Sequence, residues 1–514
     1  MHPRIHAINR PDAVALIMAN SGETVTYAQL EARANRGAHA LRALGVGIGD
    51  TVAVVCDNRP EFFDLFWATQ RSGVTMVPVS TRLKCGEIAY IVEDSGAKLL
   101  LISEYLAETA QELGDARASM PGLKHMLSFG KIVGLPAWDA LCSAQPCAPI
   151  ADEAMGTRMA YSSGTTGRPK GIKNVTPTAG TDPIQPLGSA LLFGKLYPFG
   201  PDTIYLSPAP LYHAAPMGFT TVTQSLGGTV VVMEKFDPEE YLALIERHKV
   251  TLTQVVPTMF VRLLKLPEVL RRKYDFSSLL AMIHAAAPCP VPVKQAMIDW
   301  LGPVIEEYYA GTEGSGFVTV SSAEWLERPG TVGRNITGKI HICDDEGNEL
   351  PAGEIGTVYF SGGQGFTYHK SPDKTASAHN PLHSGWTTMG DVGRIDDEGY
   401  LFLSDRKDFM IIAGGVNVYP QEVENLLVTH PKVADVAVFG VPNAEFGEEV
   451  KAVVQPVQWE DAGDLLAQEL IGWCRERLAD VKCPRSIDFE RALPRAETGK
   501  LYKKELKVRY WPVG

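Results

Sequence analysis

The sequence of 514 residues lacks several features that would place it in a specialised class of protein. It contains no run of about 18 or more apolar residues, so it predicts no transmembrane helix. Its first residues lack the basic and then apolar pattern of a signal peptide. Its eight cysteines include no CxxC pair, and Cys142 and Cys147 are too far apart for a zinc knuckle. These absences favour a cytoplasmic protein with reduced thiols.

The chain also has fewer basic than acidic residues, which gives it a formal net charge of −12. A protein whose principal partner is nucleic acid needs a basic surface, so that class is not expected. A nucleotide carries few charges and needs only a local cluster of cations. The chain shows no internal repeat and has the 45% apolar share of a globular protein, with length for two or more domains.

Short apolar segments alternate with helical ones through the first 310 residues. Thr26 to Leu44 predicts an amphipathic helix, because Thr26 and Gln29 have the spacing of a capping box. The predicted strands are 51–56, 75–80, 98–103, 203–207, 229–233, 252–256, 280–284 and 304–308. Strands of this kind separated by helices predict an α/β fold with doubly wound, mostly parallel sheets. Ligands bind such sheets beyond the carboxyl ends of the strands.

The pattern changes twice after this region. Residues 330–405 consist of short strands and turns, which predicts a β-rich subdomain. Residues after Asp408 alternate compactly between strands and helices, which predicts a small α+β domain. We therefore expect an N-terminal domain over 1–405 and a C-terminal domain over 406–514. The charged junction Ser-Asp-Arg-Lys-Asp is short, so it predicts a hinge rather than a long tether.

The segment most informative about function is Tyr-Ser-Ser-Gly-Thr-Thr-Gly-Arg-Pro-Lys-Gly, residues 161–171. Glycines allow the backbone to approach a ligand closely, and free N–H groups, hydroxyls, Arg168 and Lys170 all suit phosphate oxygens. The GxxxxGK[ST] spacing of a Walker A loop cannot be placed on it. The segment therefore indicates a phosphate-binding loop of another kind.

This segment resembles the phosphate loop of adenylate-forming enzymes, the superfamily of acyl-CoA synthetases, luciferases and peptide-synthetase adenylation domains. Four further segments resemble the same superfamily and follow in its order: YAGTEG from Tyr309, WTTMGD ending at Asp391, AGGVNVYPQEVE from Ala413, and PRAETGK ending at Lys500. The resemblance covers nearly the whole chain. It implies that ATP and a carboxylic acid form an acyl-adenylate, which coenzyme A then converts to a thioester.

The resemblance also implies a role for each matched residue. Tyr309 would flank adenine, Thr312 would contact the α-phosphate, and Asp391 and Arg406 would bind the ribose hydroxyls. Glu313 and Thr166 would hold Mg²⁺. The nucleotide-binding residues are thus expected to be Ser162, Ser163, Gly164, Thr165, Thr166, Gly167, Lys170, Ala286, Ala287, Pro288, Tyr309, Ala310, Gly311, Asp391 and Arg406. Ala310 stands where the superfamily has glycine, which affects the room for the backbone only.

In the C-terminal region the resemblance identifies Lys500 as the catalytic lysine, acting with Glu313 and Thr312. Lys503 and Lys504 are expected to be ordinary solvated charges. Gly414 and Gly415 would line the tunnel for the pantetheine thiol, since a narrow tunnel beside backbone leaves no space for side chains. The resemblance places the hinge at Asp408.

The substrate is less well specified. The segment Ala209–Pro216 offers His213 and small apolar residues where amino-acid-activating relatives continue to an Asp, so we expect an apolar acyl pocket with His213 as its wall or gate. Bulky acids of the steroid or bile-acid kind, or medium-chain fatty acids, are favoured, and aryl acids stay open. The Pro- and Gly-rich residues 174–186 make a fatty-acid tunnel doubtful.

Two alternative functions are a ligase that loads a carrier protein and a nucleotide sensor without activity. The intact Lys500, Glu313 and Gly415 argue against the sensor. We expect no carrier domain after residue 514, so free coenzyme A is the expected acceptor. The expected small-molecule partners are therefore the acid, ATP, Mg²⁺ and coenzyme A, and the sequence leaves a homodimer open.

Overall fold

A computed structural model describes residues 2–162, 169–173, 188–363, 365–413, 416–443, 446–495 and 501–511. In chain order its strands are β1 Val14–Met18, β2 Thr24–Thr26, β3 Thr51–Val55, β4 Thr75–Val79, β5 Ala97–Ser103, β6 His125–Phe129, β7 Thr157–Ser162, β8 Lys170–Lys173, β9 Ile204–Ser207, β10 Thr229–Val232, β11 Leu252–Val255, β12 Ala281–His284, β13 Ile305–Ala310, β14 Phe317–Val320, β15 Arg334–Asn335, β16 Lys339–Cys343, β17 Gly356–Ser361, β18 Thr367–Tyr368, β19 Thr387–Ile395, β20 Leu401–Arg406, β21 Ile411–Ala413, β22 Val416–Val418, β23 Val433–Asn443, β24 Gly447–Pro456 and β25 Ser486–Phe489.

The helices are α1 Pro3–Asn9, α2 Tyr27–Ala43, α3 Pro60–Arg71, α4 Cys85–Asp94, α5 Ala107–Asp115, α6 Trp138–Ser143, α7 Gly188–Leu196, α8 Ala214–Leu226, α9 Pro238–His248, α10 Pro257–Leu264, α11 Glu268–Arg271, α12 Val291–Leu301, α13 Ser322–Glu327, α14 Pro372–Ser377, α15 Pro420–Leu427, α16 Asp464–Arg475 and α17 Lys503–Tyr510. The capping box predicted for α2 is present, because Thr26 accepts a hydrogen bond from the Gln29 backbone and Gln29 accepts one in return.

The chain divides into two compact units. The first comprises Met1–Val255, Leu266–Met282 and Phe366–Pro372, and the second comprises Val256–Lys265, Ile283–Gly365 and Asp373–Gly514. The expected domains, 1–405 and 406–514, divide the chain differently, and that boundary stays a prediction.

The first unit contains two sets of strands whose neighbours are mostly parallel. One sheet has the order β18-β8-β7-β4-β3-β5-β6, in which β7, β4, β3, β5 and β6 are parallel. The other set has the order β11-β9-β10-β1-β2, and all of its pairs except β1–β2 are parallel. Helices separate the parallel strands along the chain, as the pattern of apolar segments predicts.

The second unit is built mainly from antiparallel strands. It holds β13–β14–β15, the four-stranded sheet β16-β17-β19-β20, and a sheet of order β22-β21-β24-β23 with β25 parallel to β24. The last sheet packs with α15 and α16 around its own apolar core, which includes Ile411, Leu427 and Leu470. The predicted fold class is confirmed: an α/β protein with a large N-terminal part, a β-rich region and a small α+β C-terminal part.

The boundary of one predicted strand shifts in a way that affects the site. β13 continues to Ala310, so Tyr309 and Ala310 lie within a strand rather than after it. Asp391 lies in the middle of β19, within the predicted β-rich region. In the described part of the chain, no helix is both long enough and apolar enough to span a membrane.

A network of buried charges joins the N-terminal helices of the first unit. The guanidinium of Arg71, fully buried, donates to both carboxylate oxygens of Glu31 at 2.8 Å, and Arg4 donates to the same carboxylate at 3.0 Å. Burial alone would raise the pKa of Glu31, but the hydrogen bonds and charge of Arg71 outweigh it and bring the pKa to about 2. The network therefore stabilises the fold while Glu31 is ionised.

Glu31→Gln is expected to lower the free energy of unfolding by about 3 kcal/mol near pH 7. Because the folded pKa lies below the unfolded value, the difference from wild type should shrink as pH falls from about 4.5 towards 2. Urea unfolding midpoints across that range measure it. Glu23→Gln, which removes an exposed partner of Arg33, is the matched control and should change stability little. A constant difference at every pH would contradict the assignment.

Candidate functional site

The predicted phosphate loop begins and ends on adjacent strands of the first unit. β7 and β8 are antiparallel, and Ser162 pairs with Lys170 in their register. The Nζ of Lys170 lies 5.1 Å from the centre of the Tyr368 ring. The hydroxyl of Tyr161 donates a 2.7 Å hydrogen bond to Asp94, which fixes the start of the loop. Ser163, Gly164, Thr165, Thr166 and Gly167 lie outside the described residues, as does segment 174–186.

In the second unit, three residues from separate motifs converge. The Tyr309 hydroxyl, on β13, donates a 2.5 Å hydrogen bond to Oδ2 of Asp391, on β19. Arg406 is the cross-strand neighbour of Asp391 on β20, and its Nε donates to Oδ1 at 3.2 Å. The residues expected to hold adenine and ribose are thus one hydrogen-bonded cluster.

Burial controls the protonation of this cluster. Burial is the main cause that raises the pKa of Tyr309 well above its ordinary value, and the negative charge of Asp391 adds to it. Burial also raises the pKa of Asp391, while the Arg406 guanidinium and the Tyr309 hydroxyl oppose that change. The phenol therefore stays a hydrogen-bond donor. An ionised Asp391 retains lone pairs that can accept further hydroxyl groups.

The turn after β13 has little room beside its backbone. An added Cβ at Gly311 would collide with the Met389 side chain and lie 2.7 Å from Oε2 of Glu313. Thr312 is exposed and Glu313 half-buried in this turn. A single carboxylate can take part in Mg²⁺ binding when the phosphates supply other ligands, so Glu313 fits the expected role. Among the described residues there is no group of three or more side chains that forms a complete metal site.

The expected nucleotide residues Ala286, Ala287 and Pro288 lie between β12 and α12. Ala286 has a φ of 74°, in the left-handed region that is unfavourable for a residue with a side chain. Ala286 and Pro288 are exposed and Ala287 is half-buried. Backbone strain of this kind is often found where a chain contacts a ligand, which agrees with the expected role.

His213, the expected wall or gate of the acyl pocket, directly precedes α8 in the first unit. Its ring lies 4.4 Å from that of Tyr212, centre to centre, and the residue is half-buried. The next turn of α8 is apolar and buried, including Met217 and Phe219. His213 therefore stands at the start of a helix whose next turn is buried.

Lys500, Gly414 and Gly415 lie outside the described residues, but their flanking residues are well held. Arg495 and Leu501 form an antiparallel bridge. The Arg495 guanidinium makes a bidentate ion pair with Asp435, at 2.5 and 2.7 Å. Asp408 is exposed in a single 3₁₀ turn, Lys407–Phe409, between β20 and β21.

The expectation that Lys503 is a solvated charge is wrong. Its Nζ lies 2.8 Å from Oε1 of Glu424, and the two side chains are only 7% and 8% exposed. The same carboxylate oxygen accepts the Val438 N–H, and the Lys503 ammonium lies 5.1 Å from the centre of the Phe409 ring. Burial raises the pKa of Glu424, while Lys503 opposes that change. The pair joins α17 to α15 beside the predicted hinge.

Lys503→Met is expected to cost about 3 to 5 kcal/mol of stability, because it leaves the Glu424 carboxyl buried without its counter-charge. Lys507→Met, on the same helix but 3.7 Å from Glu448 and 37% exposed, should cost less than about 1 kcal/mol. Chemical denaturation of both variants measures the difference. The double variant Lys503→Met with Glu424→Leu should recover most of the loss. Equal stabilities of the two single variants would show that the Lys503 pair contributes nothing.

A second buried ion pair, which the sequence analysis did not identify, supports the expected adenine site. The Lys294 ammonium, on α12, lies 2.6 Å from Oε2 of Glu307, on β13, and the side chains are 1% and 7% exposed. Glu307 is two residues from Tyr309 on the same strand. The Lys294 ammonium also lies 5.0 Å from the centre of the Trp325 ring. No sequence spacing signals this pair, because it depends on how a helix packs against a strand.

Two protein-family models match the chain. A model described as "AMP-binding enzyme" matches residues 4–367, and one described as "AMP-binding enzyme C-terminal domain" matches residues 422–500. Most of the predicted site residues lie within these two matches. Asp391, Arg406, the hinge residue Asp408, Gly414 and Gly415 lie between them.

Individual relatives are similar over nearly their whole length. A feruloyl-CoA synthase of Amycolatopsis sp is 34% identical over 96% of both chains. The long-chain-fatty-acid–CoA ligase FadD13 of Mycobacterium tuberculosis is 30% identical over 99% of this chain and 97% of its own. The crystal structure of the anthranilate CoA ligase AuaEII in complex with anthranoyl-AMP is 25% identical, with a TM-score of 0.85 over 99% of this chain and 96% of that one.

Proposed function

This chain belongs to the AMP-binding enzyme family and is an AMP-forming acid–thiol ligase, and we propose that it activates a hydrophobic carboxylic acid for transfer to coenzyme A. The observation that carries the proposal is the contact of Tyr309 and Arg406 with the Asp391 carboxylate. It brings together two motifs of the adenylate-forming type and the Arg406 that the resemblance assigns to the ribose. Such a cluster has the aromatic ring and the carboxylate that an adenosine needs.

The proposed reaction has two steps. A carboxylate oxygen of the acid attacks the α-phosphorus of ATP, a P–O bond to pyrophosphate breaks, and acyl-AMP forms. The thiol of coenzyme A then attacks the acyl carbonyl, AMP leaves and the thiol proton passes to solvent. Adenylation is needed because a carboxylate would otherwise have to expel oxide.

The predicted catalytic and tunnel residues would act in different steps of this reaction. Glu313 and Thr166 would hold Mg²⁺, which neutralises phosphate charge when it is bound. Lys500 would place an ammonium between the attacking carboxylate and the α-phosphate, where it offsets their repulsion and the charge of the transition state. Gly414 and Gly415 would give the pantetheine thiol its path in the second step.

The class of acid is proposed from the apolar surroundings of His213 and from the relatives. The names of the feruloyl-CoA synthase and the anthranilate ligase indicate aryl acids, and that of FadD13 a long-chain fatty acid. We therefore include aryl and medium-chain fatty acids together with the bulky acids that the sequence favours. Transfer to a carrier protein is the second candidate.

A pyrophosphate-release assay with a panel of these acids tests the proposal. An AMP-forming ligase for free coenzyme A should release AMP and pyrophosphate and turn over fully when coenzyme A is added. Formation of adenylate without turnover by coenzyme A would favour carrier loading instead. Formation of ADP and an acyl phosphate, or no reaction with any acid, would refute the proposal.

Lys500→Ala should lower the rate of adenylation by a factor on the order of 10² to 10⁴, the range expected for loss of a preorganised charge. Thioester formation from separately prepared acyl-AMP should stay close to the wild-type rate, because that step does not need the charge at the α-phosphate. Single-turnover measurements of the two steps give the comparison. Equal loss in both steps would show that Lys500 acts on the structure as a whole.

Asp408→Pro tests the proposed hinge. One site must serve two unlike steps, so we expect the C-terminal domain to rotate about Asp408, whose φ and ψ would change. Proline fixes φ near about −65° and should trap one orientation, so one half-reaction should fall far more than the other. Gly415→Leu should block only thioester formation. Wild-type turnover by Asp408→Pro would place the hinge elsewhere.

A further inference from the structure

His284 is a buried side chain without a hydrogen-bond partner in the described part of the chain. It is the last residue of β12 and is 0% exposed, and neither ring nitrogen makes a hydrogen bond there. The Glu307 carboxylate lies beside the ring, with its Oε2 3.5 Å from Nε2. That oxygen is already engaged by the Lys294 ammonium at 2.6 Å. The imidazole is therefore poorly satisfied.

The ring is neutral, because burial, with the charge of Lys294 adding to it, lowers the pKa of His284 well below its ordinary value. A neutral imidazole presents one N–H donor and one nitrogen acceptor. A buried donor and a buried acceptor without hydrogen bonds lower the stability of the folded state. An apolar residue of similar size would avoid this loss. A group that meets them in the working enzyme would explain why histidine stands here.

The position of His284 points to the substrate. The buried Ala285 separates it from the turn of Ala286–Pro288, in which Ala286 and Pro288 are exposed and Ala286 has the unfavourable positive φ. Ligands of α/β sheets bind beyond the carboxyl ends of strands, and β12 ends at His284. The exposed turn carries the residues expected at the nucleotide, whereas His284 points inward against the Phe260 ring of α10, 5.2 Å away centre to centre. The two rings meet edge to face, at an interplanar angle of 65°. An aromatic ring beside one polar group suits an aryl acid better than a nucleotide.

We propose that His284 is a specificity-determining residue, which forms a hydrogen bond with a hydroxyl or amino substituent on an aryl carboxylic acid. The proposal rests on the ligase function proposed above and narrows its substrate class. An acid without such a substituent leaves the imidazole unsatisfied, so a site of this kind discriminates strongly against it. An acid with a second carboxylate is disfavoured, because the Glu307 carboxylate lies beside the ring and already neutralises Lys294.

The test compares acids that differ by one hydroxyl group, 4-hydroxycinnamic with cinnamic acid and 4-hydroxybenzoic with benzoic acid. For the wild type, kcat/KM from pyrophosphate release should favour the hydroxylated member of at least one pair by about 10-fold or more. His284→Leu should bring that ratio to within about 3-fold, through a fall in kcat/KM for the hydroxylated acid. His284→Gln keeps a donor and an acceptor and should retain part of the preference.

Two controls separate selectivity from folding. Met282→Leu, a buried apolar exchange on the same strand, should leave the ratio unchanged, and the Tm of every variant reports on stability. The ratio is measured within one variant, so partial loss of folded enzyme does not alter it. If His284→Leu does not fold, His284→Gln and His284→Asn give the comparison.

Several results would overturn the inference. A wild type that activates acids but shows no preference within either pair would do so, as would a ratio that His284→Leu leaves intact. A change in the KM for ATP with an unaltered ratio would assign His284 to the nucleotide instead. Failure of the ligase function itself looks different, because the wild type would then release no pyrophosphate with any acid.

Discussion

The Asp391 carboxylate is the point on which the second unit's candidate site depends. One of its oxygens accepts the Tyr309 hydroxyl from β13, and the other accepts Arg406 from β20. The two donors come from different sheets, so the carboxylate fixes the distance between the aromatic ring and the guanidinium. An adenosine suits such a fixed distance, because one covalent bond joins its base to its ribose and sets their separation. Hydrogen bonds that involve a charged partner are strong enough to hold it.

Buried ion pairs support the elements around this cluster. Lys294 and Glu307 join α12 to β13, and Lys503 and Glu424 join α17 to α15. A buried ion pair contributes little net stability, since the cost of desolvating its two charges offsets most of their attraction. Its effect is on specificity, because any arrangement that separates the two charges leaves one of them buried alone. The helices that precede and follow the predicted functional segments are thus restricted to one packing.

His284 differs from these paired charges in its hydrogen bonding. Its neighbours Lys294 and Glu307 satisfy each other, whereas the imidazole is satisfied by neither. Polar groups that a fold leaves unmet are uncommon, and functional sites are a frequent place for them. The strained φ of Ala286 two residues later is a second departure from the lowest-energy local structure. The unsatisfied imidazole of His284 and the strained backbone of Ala286 thus lie in one short segment. The network around Arg71, in contrast, is well hydrogen-bonded.

The sequence by itself determined the fold class, the positions of most strands and the family, because these depend on local patterns. The capping box of α2 and the apolar strands such as β3 follow from residues close together in the chain. Tertiary structure alone decided that Lys503 is buried, that Lys294 meets Glu307 and that His284 finds no hydrogen-bond partner among the described residues. These depend on which side chains meet when helices pack on strands, and no spacing along the chain encodes that meeting.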